Sequence, residues 1–469
     1  MSTLSFPAQL QPQSLPQARR KSFAKLTLWP LIAATFFMVS GGTYGTEDVI
    51  HGAGYGLGIL ILILTPLVWS LPTAFMIGEL ASALPAEGGY YAWVRRGMGN
   101  FWGFQEAWLS LVASIFDMAI YPTLFVAYMT RLVPALAVGH RGAMVALGVV
   151  IVCAALNLAG IQVVGITSLW LFFLLSAPFA LIVVLAPFKM GALATAHTAP
   201  VTSTVGLLGG TLIAMWNYMG WDNASTIAQE VERPQRTYPR AMIAAVVLVS
   251  LTYILPVLAM KATGVPAAAF ETGSWADFAG LMAGNWLRIA LVLGGMMSGF
   301  GMFNALVMSY SRLPLAMAQD GMLPRAFAKV HPKTRAPWVA ILVLATGWAL
   351  CLGLGFERLV TLDIMLYGAS LSLEFITLVM LRLREPQLPR EFRVPGGLAG
   401  CVLAGVVPVL LLALAVVHSE HEEVLGLNGL TFGALIILAG FGAYLFTSRF
   451  RRRQVPTAAP APADGPAPA

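Results

Sequence analysis

Residues 28–54 read LWPLIAATFFMVSGGTYGTEDVIHGAG, an apolar segment whose helical pattern breaks at Ser40-Gly41-Gly42-Thr43. Two adjacent glycines favour non-helical backbone. At the depth of a lipid bilayer, an unwound stretch leaves amide and carbonyl groups unpaired, which is tolerated only where they line a cavity or bind something. A glycine pair alone is equally compatible with a close packing notch between two helices.

A second interruption lies in residues 206–242, GLLGGTLIAMWNYMGWDNASTIAQEVERPQRTYPRAM, between Asn217 and Asn223. The two interruptions fall in the first and the sixth apolar segments of the chain. Broken helices at corresponding positions are typical of transporters built from inverted repeats, with the substrate site near the bilayer midplane. We therefore predict two inverted five-helix repeats, and this prediction depends on the position of the breaks, since the halves share no strong residue identity.

The composition excludes a water-soluble globule. Of 469 residues, 58% are apolar and 10% are charged, whereas roughly 25% of residues are charged in soluble domains. A span needs about 20 apolar residues, so a peripheral or singly anchored protein is excluded as well. Twelve apolar segments recur, at approximately 27–52, 56–84, 101–135, 142–161, 163–188, 205–230, 239–262, 286–316, 337–356, 359–382, 398–418 and 427–448.

These segments predict an all-α membrane protein with 12 transmembrane helices. The inverted repeats form a ten-helix transport core over residues 26–395, and two additional C-terminal helices occupy residues 396–450. We expect residues 1–25 to be a disordered cytoplasmic tail. Residues 451–469, which are basic and then rich in Ala and Pro, cannot bury a core and are expected to form a second disordered tail.

The net charge of +7 would suit a nucleic-acid partner if the basic residues formed one solvated face. Instead, 21 of the 28 lysines and arginines fall on one predicted side of the membrane. Cytoplasmic loops carry such an excess. The charge therefore predicts orientation in the plasma or inner membrane, with both termini cytoplasmic, and lipid rather than nucleic acid as the surroundings.

Acidic residues are unexpectedly frequent within the predicted spans. A charge at the bilayer centre costs about 2.5 to 3.5 kcal/mol on insertion scales, so such residues face the protein interior. Within the spans they face at most one basic residue, Arg312. The imbalance predicts protonated carboxyl groups, a bound cation, or both, at Glu47, Asp48, Glu79, Glu106, Asp117, Asp222, Asp363 and Glu374.

Helical spacing places several of these acids in two polar stripes, because residues three or four apart share a face. One stripe, about 22 Å long, belongs to the third segment and the other to the tenth; their members are Glu106, Ser110, Ala113, Asp117 and Tyr121, and Asp363, Tyr367, Ser370 and Glu374. A carboxylate beside aromatic rings suits an alkylammonium group, through Coulomb and cation–π attraction. For any single aromatic residue, ordinary core packing is the alternative.

Four stretches resemble the amino acid/polyamine/organocation superfamily of transporters. They are SGGTYGTEDVI (40–50), GELASALPAEGGYYAWVRRGMGNFWGFQEAW (78–108), WNYMGWDNASTIAQEVERPQRTYPRAM (216–242) and AMAQDGMLPRAFAKVHPKTRAPWVA (316–340). Within the superfamily, Ser40 to Asp48 and Trp102 to Glu106 are most similar to the polyamine uptake branch known in plants. One departure is Leu306, where plant members carry an acid in the eighth helix.

The residues and the resemblance together give a set of expected roles. Burial disfavours the charged form of a carboxyl group, so Glu47, Asp117 and Asp363 are the proton-coupling candidates. Glu79 and Glu106 have an alternative role in helix capping or in pairing with Arg95 or Arg96. The predicted substrate-binding residues are Gly41, Gly42, Tyr44, Glu47, Asp117, Tyr121, Trp216, Asn217, Trp221, Asp222 and Tyr367.

The expected function is proton-coupled symport of polyamines or related organic cations; the resemblance implies alternating access. The alternative is an amino-acid permease for cationic or large neutral substrates, because free amides at Gly41 and Gly42 would bind a substrate carboxylate. Against this alternative, the Glu47 carboxylate beside those amides would repel the carboxylate of the substrate. A nontransporting nutrient sensor would share the site. We expect neither an enzyme nor a channel, no cofactor and no metal, and leave sodium coupling and oligomeric state open.

Overall fold

The computed structural model describes residues 25–86, 88–160, 166–194, 206–418, 423–424 and 426–454, and the chain there is almost entirely helical. The helices are α1 (Leu28–Val39), α2 (Glu47–Thr65), α3 (Leu71–Ala83), α4 (Tyr90–Met98), α5 (Asn100–Thr130), α6 (Arg141–Leu158), α7 (Ile166–Leu185), α8 (Leu207–Asn217), α9 (Pro234–Thr263), α10 (Ser274–Ala283), α11 (Asn285–Gln319), α12 (Trp338–Leu350), α13 (Phe356–Arg384), α14 (Gly397–His418) and α15 (Gly429–Gln454). A two-residue antiparallel pair, β1 (Glu423–Val424) and β2 (Leu427–Asn428), precedes α15.

Eight helical segments in the described part of the chain are long and apolar enough to cross a membrane, and three shorter apolar helices accompany them. Large apolar side chains such as Trp170, Phe173 and Leu403 point outward and are more than 60% exposed, as expected for a surface in contact with lipid. Each predicted apolar segment corresponds to helix in the structure. The count of twelve crossings and the inverted repeat stay predictions. The predicted tails lie outside the described residues, except that α15 continues to Gln454.

The first predicted break is present. Helix α1 ends at Val39 and α2 begins at Glu47, and the seven residues between them are not helical. Gly42 and Gly45 have φ angles of +101° and +90°, in the region that favours glycine. The freed backbone groups find new partners: the Gly42 amide donates to Ser40 Oγ at 3.2 Å, and the Gly41 carbonyl accepts from Ser298 Oγ of α11 at 2.7 Å.

The second predicted break lies directly against the first. Helix α8 ends at Asn217, Gly220 has a φ of +83°, and a 3₁₀ helix follows at Trp221–Glu230. The Asn217 side-chain amide donates to the Gly45 carbonyl at 3.1 Å. A Cβ atom on Gly220 would lie 2.7 Å from the Met38 carbonyl oxygen, which no side chain tolerates. The second break is therefore packed closely against the last turn of α1 and is hydrogen-bonded to the first break.

Helices α5 and α13 pack along most of their length and bring the two predicted polar stripes face to face. Ser110 Oγ and Ser370 Oγ are 2.9 Å apart at the centre of this contact. The helices run in opposite directions, so Asp117 approaches Asp363 on one side of the serines and Glu106 approaches Glu374 on the other. This packing aligns two groups of buried carboxyl groups between the same two helices.

Two amphipathic helices, α4 and α10, lie in connections between the predicted apolar segments, where no helix was predicted. Helix α10 buries Trp275 and Phe278 under the ends of the spanning helices. Beside it, Arg131 at the end of α5 forms ion pairs of 2.9 Å with both Glu271 and Asp277. Helix α4 closes the opposite end, which is the predicted cytoplasmic side.

A buried ion cluster fixes α3 to the segment after α13. The Glu79 carboxylate accepts two hydrogen bonds of 2.6 Å from Arg382 and one of 2.7 Å from the Val394 amide, and Arg390 Nε lies 3.1 Å away. Glu79 therefore does not pair with Arg95 or Arg96, which was the predicted alternative. Those two arginines contact Asp320 and Glu385 instead.

We predict that Glu79→Gln destabilises the fold strongly. The Glu79 side chain is fully buried, and removing one partner of a buried ion pair costs about 3 to 5 kcal/mol because the other charge is left unpaired. Thermal unfolding of the purified protein in detergent measures the effect. The matched control is Glu391→Gln, which removes an exposed pair with Arg236 worth less than about 1 kcal/mol. Equal melting temperatures for the two variants would contradict the assignment.

Candidate functional site

A small cavity lies where the two breaks meet α5, α11 and α13. The space open to water in it is about 20 Å³, room for one or two water molecules. No basic side chain is among the described residues that line it. The lining residues are Met38, Val39, Asp117, Tyr121, Trp216, Met219, Gly220, Asn223, Tyr310, Asp363 and Tyr367.

Asp117 is the most fully hydrogen-bonded acid of the cavity. Tyr121 Oη and Trp216 Nε1 donate to its Oδ1 at 2.9 and 3.3 Å, and Tyr310 Oη donates to its Oδ2 at 3.1 Å. All three donors are uncharged. They orient the carboxyl group toward the cavity and leave its charge without a compensating cation.

Asp363 faces Asp117 from α13, and its Oδ2 has no hydrogen-bond partner among the described residues. The residue is 2% exposed. An unsatisfied buried carboxyl oxygen costs at least as much as a lost hydrogen bond, and more when it is charged. Asp222 also interacts electrostatically with Asp363. Three acids thus concentrate negative charge at one place, and the arrangement is favourable only with a cation or a proton present.

Asp222 reaches the cavity through Tyr367. The Tyr367 hydroxyl donates to Asp222 Oδ1 at 2.6 Å and accepts from the Gly220 amide at 3.3 Å. Asp222 itself does not line the cavity, whereas its partner Tyr367 does. The predicted contact of Asp222 with substrate is therefore indirect in this conformation.

Aromatic rings form the walls beside the carboxyl groups. The Tyr121 and Trp216 ring centroids are 6.1 Å apart, and Phe356 packs edge-on against Trp216 at 5.6 Å. Ring faces of this kind attract ammonium groups. Trp221, by contrast, is fully buried outside the cavity and donates its indole N–H to the Tyr218 carbonyl at 2.7 Å.

Glu47 and Tyr44 do not line the cavity. The Glu47 carboxylate accepts hydrogen bonds from the Gly45 amide at 2.7 Å, from the Gly273 amide at 2.9 Å and from the Tyr128 hydroxyl. It therefore joins the start of α2 to α5 and to the start of α10. The Tyr44 ring packs edge-on against Tyr128 at 4.9 Å.

The predicted amide site at the first break is partly occupied by the protein, since the Gly42 amide is bonded. The Gly42 amide donates to Ser40, the Gly45 amide donates to Glu47, and the Gly41 carbonyl accepts from Ser298. Gly41 and Gly42 do not line the cavity. Asn217 contributes through its hydrogen bond to the Gly45 carbonyl, which holds the two breaks together.

Tyr310 and Asn223 line the cavity and were not predicted as site residues. Tyr310 lies four residues after Leu306, the position noted for lacking an acid, and residues four apart share a helix face. That spacing is a signal that identifies Tyr310 from sequence. The apolar lining residues Met38, Val39 and Met219 carry no comparable signal, because nothing distinguishes them from core residues.

The described residues contain no group of three or more His, Cys, Asp or Glu side chains placed to hold a metal ion. Cys153 and Cys401 are buried free thiols, and Cys351 is half-buried. The predicted absence of a cofactor stays a prediction.

Comparisons with known proteins agree with the sequence resemblance. Residues 31–441 match the family model described as amino acid permease. Polyamine transporter RMV1 of Arabidopsis thaliana is 34% identical over 422 residues, covering 88% of this chain and 84% of that protein. Polyamine transporter PUT1 of rice, Oryza sativa subsp. japonica, is 35% identical over 425 residues, covering 88% and 77%.

Among solved structures, a manganese transporter from Eremococcus coleocola has a similar fold, with a TM-score of 0.55 and 13% identity over 90% of this chain and 94% of that one. These relatives are transporters rather than enzymes, and the predicted resemblance to the polyamine branch is confirmed. Because the family match covers most of its length, this integral membrane protein belongs to the amino acid permease family of transporters.

Proposed function

We propose that the protein is a proton-coupled importer of polyamines or related organic cations across the cell membrane. The observation that carries this proposal is the cavity at the two breaks, where Asp117 and Asp363 lie among aromatic rings without a basic side chain in the described lining. The named activity of the plant relatives supports the same substrate class.

The lining suits an alkyl chain that carries ammonium groups. Asp117 and Asp363 provide the negative charge, and an ion pair at 4 Å is worth about 4 kcal/mol at an effective dielectric constant of 20. The Trp216 ring adds cation–π attraction of about 0.5 to 2 kcal/mol. Met38 and Met219 offer flexible apolar surface to the methylene groups.

Substrate entry requires a conformational change, because the cavity is far smaller than a polyamine and its lining residues other than Gly220 are at most 7% exposed. Ion pairs close both ends. On the α10 side, Arg131 is paired with Glu271 and Asp277; on the α4 side, Arg95 is paired with Asp320. Opening one set while the other stays closed is alternating access.

The α4 closure includes a second contact to the same acid. The Tyr91 hydroxyl donates to Asp320 Oδ2 at 3.0 Å. Burial, with the Asp320 carboxylate in support, holds the pKa of Tyr91 above its ordinary range. The phenol therefore keeps its proton and remains a donor at physiological pH.

The second candidate, an amino-acid permease, is favoured by the description of the matching family. An α-carboxylate would need free amides at the first break. The Gly42 and Gly45 amides are already bonded to Ser40 and Glu47, and two acids, Asp117 and Asp363, line the cavity. Both features oppose a substrate carboxylate, which makes the polyamine the better-supported substrate.

We predict that Asp117→Asn lowers labelled spermidine uptake into proteoliposomes at least tenfold, because it removes the charge that three donors hold toward the cavity. Wild-type uptake should be concentrative, collapse with a protonophore, and be inhibited by putrescine but not by amino acids. Glu385→Gln, at the surface, is the control and should transport normally. Saturable amino-acid uptake that polyamines do not inhibit would contradict the proposal. Uptake that requires sodium and persists without a pH gradient would show that sodium, not the proton, is the coupling ion. Binding of spermidine without transport would indicate a sensor.

Tyr310→Phe tests a lining residue that was not among the predicted site residues. The substitution keeps the ring and removes the hydroxyl that donates to Asp117. A neutral hydrogen bond is worth about 1 kcal/mol, so the KM for spermidine should rise about fivefold with little change in protein stability.

The matched control is Tyr55→Phe, whose hydroxyl donates to the Val265 carbonyl at 2.8 Å outside the cavity. It should leave the KM unchanged. An equal change in both variants would show that the Tyr310 hydroxyl has no role specific to the site.

A further inference from the structure

A second pair of buried carboxyl groups lies between α5 and α13, toward α4 and away from the cavity. Glu106 is eleven residues before Asp117, and Glu374 is eleven residues after Asp363. At 1.5 Å per residue, each is about 16 Å along its helix from the cavity acid. Ser110 and Ser370, which are 2.9 Å apart, lie between the two pairs.

The oxygens of this second pair are largely unpartnered. Glu106 Oε1 accepts hydrogen bonds of 3.0 Å from both Ser110 and Ser370. Glu106 Oε2, both oxygens of Glu374 and the Tyr90 hydroxyl of α4 have no hydrogen-bond partner among the described residues. All three side chains are at most 1% exposed.

The charged surroundings of the pair are acidic. Glu106 and Glu374 interact electrostatically with each other and with Asp222 of the second break. The other titratable groups that face them are the phenols Tyr90 and Tyr367. No basic side chain in the described part of the chain interacts with either carboxyl group.

Two buried carboxylates without a cation would repel each other and carry the full desolvation cost of both charges. A positive charge must therefore accompany them. The serine hydroxyls fill the space on the cavity side, and the glutamates are sealed from solvent, so the packing admits a proton. The buried Tyr90 hydroxyl of α4 interacts electrostatically with both glutamates, and a phenol can donate and accept a hydrogen bond.

We propose that Glu106 and Glu374 share the transported proton, at a site separate from the amine-binding cavity. This inference rests on the proposed proton-coupled function and deepens it. If Asp117 held both ligands, the incoming ammonium would displace the proton, and the two would exchange across the membrane. A second carboxyl site lets the amine and the proton be bound together, which symport requires.

The site is coupled to the cavity electrostatically, through Asp222. Asp222 interacts with both glutamates and accepts a hydrogen bond of 2.6 Å from Tyr367, which lines the cavity. Occupation of the cavity by a cation therefore changes the electrostatic potential at the pair. When α4 moves and that end opens, the proton passes to the compartment on the α4 side.

The experiment compares two transport modes in Glu374→Gln and Glu106→Gln. Exchange of labelled for unlabelled spermidine across proteoliposomes at equal pH needs no net proton movement and should stay within about twofold of the wild type. Accumulation driven by a pH gradient should fall at least tenfold, and its dependence on pH should flatten. Glu391→Gln, at an exposed ion pair with Arg236, should match the wild type in both modes.

Each alternative result has a distinct meaning. Gradient-driven accumulation by both variants, with normal protonophore sensitivity, would overturn the proton site and leave the proposed function intact. Loss of spermidine binding in both variants would make the pair structural and also overturn the proposal. Wild-type uptake that ignores protonophores would overturn proton coupling itself. Partial recovery of accumulation in Glu374→Asp would support the role of a carboxyl group.

Discussion

The packing of α5 against α13 is the contact on which the rest of the site depends, because it buries carboxyl groups from both helices that have no basic partner in the described part of the chain. Asp117 and Asp363 meet on one side of the Ser110–Ser370 contact, and Glu106 and Glu374 meet on the other. A membrane interior does not tolerate such charges alone. The native state therefore requires positive charge at these groups, which the proposed function supplies as a cation or a proton.

Much of the fold and of the cavity was predictable, because the polar and apolar residues recur along the sequence at helical spacing. Adjacent glycines at 41 and 42 indicated the first break, and a polar run with Gly220 indicated the second; both are present. Spacings of three and four residues placed Asp117 with Tyr121 and Asp363 with Tyr367, and all four line the cavity.

The remaining features depend on contacts that sequence spacing does not encode. Glu47 has the same local signature as the cavity acids, but it bonds Gly273, 226 residues away, and stabilises the α10 end. Glu79 pairs with Arg382 rather than with Arg95, which is nearer in the sequence, because α3 packs close to the loop after α13. The division of the acids into those that line the cavity, those of the second pair and those with structural partners became visible only from their contacts.

The most direct test of this account is equilibrium binding to the purified protein by ligands that differ only in charge. Putrescine, 1-aminobutane and 1-butanol share a four-carbon chain and carry two, one and no ammonium groups. If uncompensated carboxyl groups create the site, competition against labelled spermidine should weaken at least tenfold from putrescine to 1-aminobutane and be absent for 1-butanol. Equal competition by the three ligands would contradict the account.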